Sequence, residues 1–493
     1  MARREVEMTN AATLEYAFLG LHTVLFLTVS LRVVGHNLAP STGLAWILLV
    51  ALFPVGGFLL YVLVGERPLG RLRLRRMVEG HRPFLARFAA LPAGAFGDLA
   101  ALTVEQGQLA RLGTATSGIP LLRCDRVDVI AGADTILKAI VADLNGARRA
   151  CDLIFYIWQD GGLADGVADA LERAARRGVR CRVLLDAVGS RPFFRGERIA
   201  RLRAAGVRIE AALPVGPIRA LFVRADLRLH RKLLIVDGRI AYTGSMNLVD
   251  PHVFRREAGV GEWVDAMIRI EGPPVVALET VFLEDWLAET GELPTPPVHP
   301  LAAWAEVPAV TVGAAAVVPS GPDLVGDDIR RLVLAAAYGA TRELVVTTPY
   351  FVPDEAVTTA LESAAMRGVT VTLIVPEQVD SRLVRYASRS FFDGLLASGV
   401  RIHQFQGGLL HTKSLTVDGE TTLFGTFNLD IRSLRLNFEI TLVVFDPAVT
   451  AAVRALQADY ERRSVAVDLI AWRARSPVRR FVENLVRLAS PLL

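Results

Sequence analysis

His230-Arg231-Lys232-Leu233-Leu234-Ile235-Val236-Asp237-Gly238, closed by Gly244-Ser245-Met246-Asn247, is the stretch that decides the fold. Its pattern returns as His411-Thr412-Lys413, Asp418-Gly419 and Gly425-Thr426-Phe427-Asn428. In both copies Lys lies 2 residues after His, Asp 7 and Asn 17. Two matches at equal spacing argue for a duplicated half-site that pairs into one centre. The run from Lys232 to Gly238 reads as a strand entering an Asp-Gly turn, as does Lys413 to Gly419. His and Lys, two apart, then project from one face of the strand. Asp237 and Asp418 fall at the turn, so turn formation competes with a chemical role for them.

Repetition extends outward from the motif. Leu171 to Val179 reads LERAARRGV and Leu361 to Val369 reads LESAAMRGV, an offset of 190. Each is a helix end, a glycine stop and a strand start. Gly206-Val207-Arg208-Ile209 answers Gly399-Val400-Arg401-Ile402 at an offset of 193, whereas the motifs lie 181 apart. The first half therefore has 12 extra residues ahead of its motif. Helices and strands in alternation, repeated once, predict an α/β fold of two similar lobes related by pseudo-two-fold symmetry. Gly291 to Pro300 is proline-rich and reads as the linker.

Composition adds a membrane. Of 493 residues 52% are hydrophobic and 22% charged, which is apolar for a soluble enzyme. Leu14 to Val34 and Leu44 to Val64 each supply the roughly 20 residues a spanning helix needs. They predict an N-terminal hairpin of two transmembrane helices, with Pro54-Val55-Gly56-Gly57 tolerated within the second. The connector Gly35 to Gly43 lacks Lys and Arg, while Arg3, Arg4, Arg67, Arg71, Arg73, Arg75 and Arg76 flank the outer ends. The positive-inside rule places both ends and the lobes in the cytoplasm, and the Arg71 to Arg76 run could touch anionic head groups. Cys124, Cys151 and Cys181 are few and lack metal-ligand spacing, which fits reduced thiols there. The expected plan is a tail over 1–13, two transmembrane helices over 14–64 and a basic juxtamembrane segment over 65–118. A first lobe over 119–290, a linker over 291–311 and a second lobe over 312–470 follow. A basic amphipathic tail over 471–493 closes the chain.

Lysine usage sharpens the chemistry. Lys and Arg total 55, yet the only lysines are Lys138, Lys232 and Lys413. Two of the three sit in the motifs, where a compact point charge suits a tetrahedral phosphate better than a planar fork. Two histidines with two lysines and two asparagines suit phosphodiester transfer. One imidazole attacks phosphorus to give a phosphohistidine. The other protonates the leaving alcohol and later takes a proton from the incoming one. Lys232, Lys413, Asn247 and Asn428, with Ser245 and Thr426 beside them, hold the phosphate oxygens. Glu257, 27 residues after His230, and Glu439, 28 after His411, are matched candidates to orient the imidazoles. This inventory requires no metal and no cofactor. Aromatics are only 7% and the basic residues cluster by the membrane spans, which argues against nucleic acid as partner. Water, a lipid alcohol or another alcohol remain open as the acceptor.

The paired H-x-K-x4-D-x6-G-[ST]-x-N motifs resemble the phospholipase D superfamily. Tyr242 to Pro251 (YTGSMNLVDP), Gly259 to Trp263 (GVGEW) and Thr348 to Pro353 (TPYFVP) are similar to bacterial cardiolipin synthases, as are Gly407 to Lys413 (GGLLHTK) and Asn437 to Thr441 (NFEIT). The resemblance spans essentially the whole chain. It departs slightly at Thr426, in place of Ser, and Glu257, in place of Asp. It implies two phospholipase D-like lobes with His230, Lys232, Asp237, His411, Lys413 and Asp418 as catalytic residues, His230 being the nucleophile. It further implies phosphatidylglycerol as substrate, an inner-membrane location, and cardiolipin and glycerol as products. The extra residues Leu213 to Arg224, apolar with Arg219 and Arg224, read as a surface that enters the lipid interface.

Overall fold

The structure is a computed structural model that describes residues 2–36, 40–65, 69–216, 224, 226–292, 298–306, 312–322, 327–488 and 490. The expected lipid-facing segment, 213–224, lies largely outside these residues. The chain divides into two compact units, 1–71 with 215–227, and 72–214 with 228–493.

In the smaller unit, one helix runs over Ala2–Gly35. Its apolar part, Thr13–Gly35, has 23 residues, about 35 Å of helix and enough to cross the hydrocarbon. The second apolar stretch is not continuous. A helix over Pro40–Leu52 stops at Phe53, and a new one starts at Pro54 and ends in a π-turn over Tyr61–Gly65. Pro54 has no N–H to give, and Phe53 turns out of helical geometry at φ −133°, ψ 76°. The unit thus has one candidate membrane-spanning helix rather than two, plus two shorter apolar helices. The pieces pack around Val29, Val33, Val50 and Tyr61, with Trp46 edge-on to Tyr61 at 5.5 Å. Leu14, Phe18, Leu31, Leu48 and Leu52 stay exposed, as a lipid-facing surface requires.

Among the described residues, the larger unit holds two large sheets and two two-stranded ones. The first runs, in spatial order, Arg126–Ala131, Ala266–Glu271, Ile240–Gly244, Leu233–Val236, Ala150–Phe155, Arg180–Asp186 and Arg208–Ala212. The second has nine strands. Its inner seven repeat the same order: Ala314–Ser320, Glu439–Phe445, Thr421–Gly425, Ser414–Val417, Glu343–Thr347, Thr370–Pro376 and Arg401–Phe405. In each set of seven the last three run parallel through helical crossovers, and the motif strand pairs antiparallel with the first of them. The strands are apolar on both faces because helices cover them, as for Leu153, Val183 and Leu234 in one core and Leu344, Leu373 and Leu415 in the other.

Three features differ from the sequence reading. Leu122–Arg123 pairs with Ala314–Ala315 in the second sheet, and Leu109 and Ala110 of the helix Val104–Ser117 join the second core. Residues just ahead of the first lobe therefore belong to the second. The arginine run faces protein: Arg73 is buried against Glu289, and Arg76 donates to the carbonyls of Ala288 and Glu289. Both grip the helix Pro274–Thr290, leaving only Arg75 of these three exposed. The terminal helix Pro477–Arg487 is docked rather than free, with Glu483 buried between Arg389 and Arg475.

Candidate active site

Each motif strand delivers His and Lys from the same end. The residue before His230, Leu229, bridges Phe438, and His230 N donates to Phe438 O at 2.9 Å. In the other half, Leu409–Leu410 pairs in parallel with Trp263–Val264, and His411 N donates to Val264 O at 2.8 Å. Each histidine is thus clipped to a segment of the opposite lobe. A side chain at Gly408 would meet Glu262 O at 2.3 Å, so only glycine allows this approach.

The residue after each clip is a carboxylate. Nδ1 of His230 lies 2.8 Å from both carboxylate oxygens of Glu439. Nδ1 of His411 lies 2.7 Å from Oδ1 of Asp265. The lobes exchange orienting acids. Glu257 does not take this place: it is exposed on the short turn Arg256–Ala258. The equal-spacing expectation failed because the first lobe carries extra chain. Ser245 to Asp265 spans 20 residues, whereas Thr426 to Glu439 spans 13. A usable signal was present: Asp265 and Glu439 each open a strand-like apolar run, AMIRI and ITLVV.

The hydroxyls serve these acids. Ser245 Oγ donates to Asp265 Oδ1 at 2.6 Å and accepts from Ala266 N at 3.0 Å. Thr426 Oγ1 donates to Glu439 Oε2 at 2.6 Å and accepts from Ile440 N at 3.0 Å. Each hydroxyl proton is spent on a carboxylate, whereas the expectation was that it would meet a phosphate. Asp237 and Asp418 also differ from expectation. They lie at the far end of the motif strand from His, with φ of 53° and 54°. Asp237 accepts the N–H groups of Arg148, Arg149 and Ala150, and Asp418 those of Thr341, Arg342 and Glu343. They tie the strand entering the sheet to its neighbour and are structural.

Lys232 and Lys413 are almost fully buried. Each spends one N–H on the carbonyl of its own histidine, at 2.7 and 2.6 Å, out of three available. Burial lowers Lys232 to about 8 and Lys413 well below the usual lysine value, with the other lysine adding to the latter. Asn247 Oδ1 accepts from Ile157 N at 3.1 Å. Asn428 is buried, and its Oδ1 has no partner among the described residues.

Burial also brings both imidazoles down to about 4, opposed by the facing carboxylates and helped by Lys232 and Lys413. Glu439 and Asp265 stay below the usual carboxylate range although buried, because His230 and His411 respectively face them. Near neutral pH both rings are therefore neutral, with the proton on Nδ1 toward the acid. That leaves a lone pair on each Nε2, and neither Nε2 is hydrogen-bonded among the described residues. Tyr156 sits edge-on to His230 at 5.1 Å and Trp263 tilts over His411 at 4.4 Å. Arg231, between His230 and Lys232, is structural: it binds Asp285, Glu439 O and Ser320 O. No group of three or more His, Cys, Asp or Glu placed to hold a metal occurs among the described residues. Cys124, Cys151 and Cys181 are buried free thiols.

Two α/β lobes that share one strand order and meet in a paired histidine-lysine centre define a phospholipase D-like protein. The solved phosphatidylserine synthase of Haemophilus influenzae has this fold: TM-score 0.57 at 14% identity, over 78% of this chain and 100% of that one. The cardiolipin synthase, PLD-like domain family matches residues 140–286 and 333–462, and the phospholipase D-nuclease N-terminal family matches 24–66. Cardiolipin synthase A of Salmonella paratyphi B is 42% identical over 95% of this chain and 96% of its own length, as is that of Salmonella newport. The chain belongs to the cardiolipin synthase family of the phospholipase D superfamily.

Proposed function

We propose that this phosphatidyltransferase joins two phosphatidylglycerol molecules into cardiolipin and releases glycerol. The observation that carries the reading is the pair of buried imidazoles, each held by an acid of the other lobe, with two buried lysines between lobes that have no other buried lysine to offer among the described residues. His230 Nε2 attacks the donor phosphorus, and the P–O bond to glycerol breaks. His411, protonated once the anionic phosphate has entered, gives its proton to the departing oxygen. The phosphatidyl group then rests on His230. A hydroxyl of the second phosphatidylglycerol loses its proton to His411 and attacks phosphorus, which breaks the P–N bond and restores His230. Lys232, Lys413, Asn247 and Asn428 hold the non-bridging oxygens as charge gathers there. Glu439 and Asp265 keep each ring in its working tautomer.

The apolar helices support a membrane location for this chemistry, which we take to be a bacterial inner membrane. The arginine pattern favours both ends of a membrane hairpin, and the lobes, on the cytoplasmic side, with the broken stretch Pro40 to Gly65 as the return limb. The test uses the full chain in phosphatidylglycerol vesicles. Cardiolipin and glycerol are expected in equal amounts, and His230→Ala and His411→Ala should each lose several orders of magnitude. Phosphatidic acid as the main product would instead make the chain a hydrolase. Trapping and mapping the phosphoenzyme assigns the two roles, and a label on His411 would reverse them.

A further inference from the structure

The lobes differ where the first carries its extra chain. The seven surplus residues between Ser245 and Asp265 (20 against 13) fall in the turn that runs from Asp250 to Gly261. This turn presents Arg255, an exposed non-glycine residue with φ of 46°. Arg255 Nη1 donates to Asp380 Oδ2 of the second lobe at 3.1 Å, and Tyr350 Oη donates to Asp380 Oδ1 at 2.7 Å. The guanidinium also lies 5.3 Å from the Phe254 ring. From Phe254 an aromatic chain leads inward, 5.1 Å to Trp263 and 4.4 Å from Trp263 to His411. On the other side, Arg255 joins Arg228 and Arg432 in acting on the Tyr156 hydroxyl, whose ring touches His230. Arg255 thus lies within electrostatic reach of one histidine's neighbour and at the end of the other's ring stack. Only one of its five N–H groups is committed in the described contacts, and its side chain is 49% exposed.

The proposed reaction supplies a ligand for it. The acceptor lipid arrives with a phosphodiester that is not cleaved. That second anion lies a glycerol arm away from the reacting hydroxyl, and it enters while Lys232 and Lys413 already hold the donor phosphate. A symmetric pair of half-sites offers nothing for it; an asymmetric one can. We infer that the extra turn of the first lobe makes a second phosphodiester site, in which Arg255 holds the phosphate of the acceptor lipid while its hydroxyl attacks. This inference rests on the reaction proposed above. It also gives a chemical reason for choosing a phospholipid over water or a neutral alcohol, because a fork of N–H donors matches the paired anionic oxygens of a phosphodiester, a charged partner that water and glycerol do not supply.

The two halves of the reaction can be read apart in the full chain, reconstituted in vesicles. Exchange of labelled glycerol into phosphatidylglycerol uses the same donor and the same phosphohistidine, but an acceptor without phosphate. Cardiolipin formation uses the phosphorylated acceptor. Arg255→Asn removes the charge and suits the left-handed backbone, where asparagine is favoured, so the turn should persist. Cardiolipin formation should fall on the order of tenfold, the worth of one charge-assisted contact, mainly through a higher phosphatidylglycerol requirement. Glycerol exchange should stay within about twofold. Arg255→Lys should recover part of the loss. Equal loss in both assays, or no loss in either, would overturn the site. A wild-type chain that neither exchanges glycerol nor forms cardiolipin would remove the reaction and the site together.

Discussion

At the scale of single residues, the site separates groups that face the substrate from groups that hold them. Asp237 and Asp418 recur at identical spacing because an Asp-Gly turn recurs, so equal spacing marked architecture there, not chemistry. His230, Lys232, His411 and Lys413 were legible because their residue types are rare in this chain and their chemistry is specific. Asp265 was not legible by counting, since the extra turn had shifted it. Asp265→Asn should lower kcat on the order of a hundredfold with little change in melting temperature, because the amide can leave His411 in the wrong tautomer. Glu257→Gln should be silent, and steady-state rates of the two variants side by side decide the assignment. The imidazoles carry a pH signature as well. Burial lowers their pKa to about 4, so lowering the pH must reach well past the free imidazole value of about 6.5 before the free enzyme's nucleophile is protonated. The acid limb of kcat/KM is expected clearly below pH 6; a limb at 6.5 or above would mean that the rings are not desolvated as described. Stability follows the same sign at the turn. Asp418 is held below the ordinary carboxylate value: partial burial opposes this, but the N–H groups of Glu343, Thr341 and Arg342 outweigh it. Its contribution is present above pH 4 and disappears as the pH falls through the depressed value.

Among elements, the repeat itself was readable, but the order of its strands was not. The glycine stops at Gly178 and Gly368 and the paired motifs mark two of the seven core strands in each lobe, Arg180–Asp186 with Leu233–Val236 and Thr370–Pro376 with Ser414–Val417. Composition could not show which way the basic segments face. Arg73 and Arg76 look like a lipid-binding run in sequence, yet they face the helix Pro274–Thr290, whose Glu289 and terminal carbonyls need cations. The second apolar stretch has the length of a span, but Pro54 interrupts its hydrogen-bond ladder. The terminal helix is the clearest case. Glu483, on an otherwise amphipathic and basic segment, is buried against Arg389 and Arg475, and Trp472 lies beneath both cations. Crowding is evident in Arg389, which burial and neighbouring Arg479 lower to about 10 despite Glu483. Glu483→Ala should cost about 3 kcal/mol, since it leaves two cations together without their anion. Thermal melts in detergent should show the loss, and limited proteolysis should release the segment after Arg473. A variant with unchanged melting and protection would mean that the helix is not docked.

For the larger unit as a whole, the lobes are joined by more than the chain between them. The strand Leu122–Arg123 precedes the first sheet in sequence but is an edge of the second. Trp263–Val264 pairs with Leu409–Leu410. A protease site inserted after Glu292 should therefore yield, after cleavage, two fragments that stay together on gel filtration in detergent and keep most activity. The fragment ending at Glu292, produced alone, should be inactive although it has a complete histidine-lysine motif, and mixing it with its other half should restore turnover. Activity in the lone fragment would show that the exchange of acids does not matter. The exchange has a genetic corollary. A lesion at Asp265 is written in the first half of the gene but disables the histidine encoded by the second, and a lesion at Glu439 does the reverse. The two halves cannot drift apart as independent copies, because each carries an instruction that only the other can execute. Selection sees the duplication as a single locus.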